Sequence, residues 1–123
     1  MYFEQRIMEA VYGRRYSEML ARLSLDGLER ELTKLNARDT WLKLDLAGRN
    51  PDDGMTSIAY DKGYFFLRTL EESVGRAKWD VFLKDYFEKF AFRSMTTEGF
   101  VDHLKANLET SIDMDAWIYG PGL

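Results

Sequence analysis

The chain has no cysteine, one histidine and two prolines in 123 residues. The missing cysteine removes disulfides, thiolate nucleophiles and sulfur-ligated metal sites together, and makes a cytoplasmic location the expectation. Zinc hydrolysis needs three or four nitrogen, oxygen or sulfur ligands in tetrahedral geometry, and His103 is the only imidazole available. A metal site is therefore not expected from these residues, and no cofactor is expected in this chain itself. Stability has to come from packing.

Other absences narrow the function classes. The formal charge of −4 arises from interleaved acids and bases, without the basic stripe that phosphate neutralisation requires, so nucleic acid is not an expected partner. No apolar run approaches the roughly 20 residues that cross a bilayer, and no basic-then-apolar leader opens the chain. A membrane is not an expected partner either. A glycine-rich phosphate loop, a nucleophile elbow and internal repeats are also missing.

What is present is material for a helical core, since 46% of the residues are hydrophobic and 15% aromatic. In residues 2–12, Phe3, Ile7 and Val11 stand four apart and Gly13 follows as a helix-ending glycine would. Tyr16, Met19, Leu20 and Leu23 predict a second short helix, and Leu25, Leu28, Leu32 and Leu35 a third that Gly27 weakens. Between 39 and 54 the periodicity fails and Gly48, Asn50, Pro51, Asp52, Asp53 and Gly54 crowd together, which predicts one long loop. Trp41, Leu42, Leu44 and Leu46 suit a brief extended stretch before it. Thr56 or Ser57 caps a central helix running through Ile58, Phe65, Leu67, Leu70 and Val74 to Gly75, apolar on more than one side. Trp79, Phe82, Leu83, Tyr86, Phe87 and Phe90 give the cleanest helical spacing in the chain. Thr96 or Thr97 caps a further helix, and the tail from Ile112 is expected to leave the domain at Gly120, Pro121 and Gly122. The expectation is an all-α fold, about six helices around one core, in a single helical subdomain spanning 1–123.

Few side chains suggest chemistry by themselves. His103, between Asp102 and Lys105, reads as a solvated helix residue. The neighbouring acids Asp52 and Asp53 suit a turn, and Glu71 and Glu72 point about 100° apart on a helix and seldom share a substrate. Tyr60 is different, because it opens the central helix directly after the loop, where a hydroxyl can project into a cleft.

The run Ala59-Tyr60-Asp61-Lys62-Gly63, followed by Phe66, Leu67, Leu70 and Glu71, resembles the tyrosine motif of zinc aminopeptidases of the aminopeptidase N and leukotriene hydrolase family. Four further blocks agree in order and spacing. Tyr2-Phe3-Glu4 with Arg6 resembles the helix after that family's zinc-binding Glu, and Leu44-Asp45-Leu46 with Pro51-Asp52 resembles its loop. Lys84 to Phe90 with Ser94, Thr96 and Thr97 resembles its later helices. Ala116-Trp117 with Tyr119, Pro121, Gly122 and Leu123 resembles the end of its catalytic domain.

The resemblance implies the helical C-terminal part of a thermolysin-like catalytic domain, in which a His-Glu-x-x-His helix and a downstream Glu bind zinc. It makes Tyr60 the tyrosine whose hydroxyl stabilises the tetrahedral intermediate. A phenol, with a reference pKa of about 10, can donate a hydrogen bond to a developing oxyanion at neutral pH. Asp52 and Met55 match loop positions that approach the substrate cleft, and the family's leukotriene hydrolase branch has tyrosine at the position of Met55. That departure argues against epoxide hydrolase chemistry. The zinc ligands of the family precede this segment, so the chain reads as a fragment of a peptide-cleaving parent, with the remaining half of the catalytic domain as its partner and inactive alone. The second reading is a non-catalytic helical interaction module, or a scaffold engineered from such a fragment, with self-association through exposed apolar surface.

Overall fold

The computed structural model describes residues 1–43, 47–48 and 57–123. It is built of helices, and no strand occurs among the described residues. Among the described residues there are six α-helices, α1 (Tyr2–Tyr12), α2 (Arg14–Lys34), α3 (Ile58–Val74), α4 (Arg76–Phe90), α5 (Thr97–Asn107) and α6 (Met114–Tyr119), and a 3₁₀ turn at Ala37–Asp39. The expected number of helices holds, but its make-up differs in two places.

The predicted second and third helices are one continuous helix, α2. Gly27 lies within it and no atom approaches the space its Cβ would occupy. A single glycine costs a helix only about 1 kcal/mol against alanine, too little to break one flanked by good helix formers. The second difference is α6, in the segment expected to leave the domain. Ile118 and Met114 are buried there, and the Ile118 carbonyl accepts a hydrogen bond from the Lys43 amide at 2.9 Å. Trp41 and Leu42 form no strand; Leu44 and Leu46 lie outside the described residues.

Close contacts divide the chain into two units, Met1–Leu67 with Asp115–Leu123, and Arg68–Met114. The first buries Tyr2, Ala21, Leu28, Ile58, Tyr64, Phe66 and Ile118. Tyr2 and Tyr64 meet with ring centroids 6.3 Å apart, and Phe66 lies 5.7 Å from Trp117. The second buries Leu70, Trp79, Phe82, Val101 and Leu104. Gly75 joins α3 to α4 with φ +89°, a conformation that a Cβ disfavours. Of the two expected capping residues, Thr96 and Thr97, it is Thr96 that caps α5, its hydroxyl accepting from the Gly99 amide.

Candidate functional site

Ser57 precedes α3, and its carbonyl accepts from the amides of Tyr60 at 3.1 Å and Asp61 at 2.9 Å, closing the first turn. On that turn Tyr60 is 68% exposed, and its hydroxyl makes no hydrogen bond among the described residues. Next to it, partial burial raises the Asp61 carboxyl above its ordinary value, while a hydrogen bond with Ser57 works the other way. Asp52 and Met55, the other two residues expected at the site, lie outside the described residues.

Lys62, two residues beyond Tyr60, is fully buried. Its Nζ donates to the carbonyl of Thr40 and to the carbonyl of Gly120, each at 2.8 Å. Both acceptors are themselves held. The Thr40 hydroxyl donates to the Ala37 carbonyl at 2.7 Å and accepts from the Gly122 amide at 3.1 Å. Any side chain at Gly120 would run into the carbonyl of Ala116, so only glycine permits this close ending of α6. Burial pulls the ammonium of Lys62 down to about 8 from its ordinary 10.5, because the charged form loses hydration that two carbonyls replace only in part.

The burial of Lys62 had a signal in the sequence. Ile58, Lys62, Phe66 and Leu70 stand four apart, and all four are buried, so the lysine occupies a core register position of α3. Tyr64 and Glu71 are buried on another side of the helix, as expected for a central helix.

His103 corrects an expectation. It is only 9% exposed, covered by the rings of Phe82 at 5.3 Å, Tyr86 at 5.8 Å and Phe90 at 5.0 Å. The Asn107 amide donates to its carbonyl and lies 3.2 Å from Nδ1. Nε2 has no hydrogen-bond partner among the described residues, the Asp85 carboxylate standing 4.0 Å away. A ring packed among aromatics is a core piece. A groove of about 930 Å³ in the second unit, lined by Val74, Lys78, Val81, Asp85 and Asn107 among others, contains none of the residues that the sequence singles out as site candidates.

Against known proteins, residues 1–117 match the Peptidase family M1 domain. The chain belongs to that family. Leucine aminopeptidase 2 of Aspergillus terreus is 36% identical over 134 residues, a match taking in 100% of this chain and 22% of the relative. The leukotriene A-4 hydrolase homolog of Botryotinia fuckeliana is 35% identical over 135 residues, with 100% and 21% covered. The solved structure of yeast LTA4 hydrolase in complex with bestatin superposes with a TM-score of 0.87 at 31% identity, over 99% of this chain and 21% of that one. The chain thus spans about a fifth of the length of the family M1 relatives it matches.

Family M1 peptidases are zinc enzymes, but the described residues do not fit a zinc site. Among the described residues no group of three His, Cys, Asp or Glu could hold a metal ion, and the one imidazole is enclosed by aromatic rings. No helix among them is long and apolar enough to cross a membrane.

Proposed function

We propose that this chain carries the oxyanion-stabilising tyrosine of a family M1 aminopeptidase, a parent enzyme that removes N-terminal residues from peptides, and that it is inactive alone. The carrying observation is Tyr60, exposed on the first turn of α3 with a hydroxyl that spends no hydrogen bond on the described residues. A hydroxyl engaged in holding the fold would be buried and bonded. One that is exposed on a regular helix is free to meet a charge that develops during reaction, where a preorganised donor stabilises the transition state more than the ground state.

Within this reading Asp52 and Met55, which precede α3 in the sequence, contact the peptide substrate. The metal chemistry belongs to parts of the parent enzyme outside these residues, and so does most of the substrate cleft. The parent works in the cytoplasm, in keeping with a chain that has no cysteine.

Two measurements test the proposal. The isolated chain should bind no stoichiometric zinc after dialysis and should turn over no aminoacyl anilide; activity in the purified chain would overturn it. In the parent, Tyr60→Phe should lower kcat by about a hundredfold or more while disturbing KM less, the scale for losing one oxyanion donor. An unchanged kcat would remove Tyr60 from the site.

A further inference from the structure

We propose that Lys62 is a positioning residue for Tyr60: its buried ammonium, bonded to the carbonyls of Thr40 and Gly120, locks the first turns of α3 and so sets where the tyrosine hydroxyl is presented. The proposal rests on the reading of Tyr60 given above.

The argument begins with a cost. Lys62 is fully buried, and two neutral carbonyls are its hydrogen-bond partners among the described residues. No carboxylate among the described residues pairs with it, and an ammonium removed from water on carbonyls alone is stabilised less than a methionine or leucine of similar size would be at the same place. Packing alone therefore gives no reason for a lysine at this register position.

What lysine adds is direction. Ile58, Phe66 and Leu70 hold the buried face of α3 by apolar contact, which resists separation but is non-directional and tolerates small slides and rotations. Two charge-assisted hydrogen bonds from one nitrogen tolerate neither, because they weaken with distance and angle. They tie α3 to residues 22 and 58 positions away. The acceptors cannot follow a moving helix, since the Thr40 hydroxyl joins Ala37 to Gly122 and Gly120 is pressed against Ala116.

Tyr60 lies two residues before this anchor. At about 100° per residue the two side chains leave the helix roughly 160° apart, so Lys62 grips one side of the turn that presents Tyr60 on the other. A catalytic donor has to be held within about 0.5 Å of its working place by supporting contacts. The amides of Tyr60 and Asp61 both depend on the Ser57 carbonyl, and that terminal turn would fray first if the anchor were lost.

Amide hydrogen exchange on the 123-residue chain tests the anchor directly. In Lys62→Met, the Tyr60 and Asp61 amides should lose protection by tenfold or more relative to amides of α4. Equal loss throughout, or none at Tyr60 and Asp61, would overturn the proposal. Thr40→Val, which leaves Lys62 in place but removes the hydroxyl that holds its acceptor, should shift the same two amides in the same direction. It decides the question if Lys62→Met does not fold.

A kinetic cycle in the parent enzyme tests whether the anchor acts through Tyr60. Lys62→Met, or Thr40→Val, should lower kcat by about tenfold with little change in KM, and should have no further effect in the Tyr60→Phe background. An equal loss in both backgrounds would mean a merely structural role and would overturn the inference. If Tyr60→Phe alone leaves kcat unchanged, the Tyr60 reading fails, a result that needs no Lys62 variant.

Discussion

Lys62 on α3 donates a hydrogen bond at 2.8 Å to the carbonyl of Gly120, 58 residues further along the chain. This contact, with its counterpart to Thr40, fastens the C-terminal segment to the start of the helix that carries Tyr60. It replaces the freely departing tail that a Gly-Pro-Gly ending suggests.

Removing the side chain should be costly. Lys62→Ala leaves a cavity and orphans two carbonyl bonds, and relief of the buried charge offsets only part of this. A loss of about 2–4 kcal/mol is expected in urea unfolding. Lys62→Met fills most of the volume and should cost less than Lys62→Ala; the reverse order would mean that volume does not matter here.

The same residue gives a pH dependence of defined sign. Burial lowers Lys62 from 10.5 to about 8, so between those values the unfolded chain holds a proton that the folded chain has released. Stability then rises with pH across that window and is independent of this group below about pH 8. The comparison that isolates the effect is wild type against Lys62→Met at pH 7, 8, 9 and 10. Their stability difference should be constant up to pH 8 and shift in favour of wild type above it, and parallel curves up to pH 10 would refute it. The neutral amine keeps two N–H groups, enough for both carbonyls, so the anchor should survive deprotonation.

Tyr60→Phe should leave the isolated chain's stability within about 0.5 kcal/mol of wild type, as befits an exposed residue. A clear loss in denaturant melts would indicate a structural hydroxyl.

Two glycines should respond with opposite sign. Gly27→Ala, inside α2 with open space at Cβ, should stabilise by about 0.5–1 kcal/mol. Gly75→Ala also meets open space, but its φ of +89° should cost about 1–3 kcal/mol through backbone strain. Thermal melts of the two variants would show whether steric room or backbone conformation governs.

Exposed apolar side chains predict association. Ile7, Val11 and Tyr12 on α1 and Met19 and Leu23 on α2 are largely exposed, and apolar surface in this amount favours association over contact with water. Dimers or larger species are expected by sedimentation at high protein concentration, and Ile7→Lys with Val11→Lys should reduce them. A strictly monomeric profile at millimolar protein would count against it.

Local pattern determined the all-α class, the limits of α1, the apolar faces of α3 and a threonine cap for α5 at Thr96 or Thr97, because helix periodicity and capping involve residues only a few positions apart. The same local pattern, with its resemblance to a tyrosine motif, singled out Tyr60. Only the tertiary structure decided the fate of the polar groups. Lys62 stands at a core register position of α3, but it can be dry there only because carbonyls from Thr40 and Gly120 arrive to receive its protons. His103 reads as solvated among Asp102 and Lys105, yet rings from α4 cover it. The physical reason is common to both: an apolar face is encoded by its own helix, whereas a polar group can be buried only where other segments meet it, and its local spacing does not say which segments those are.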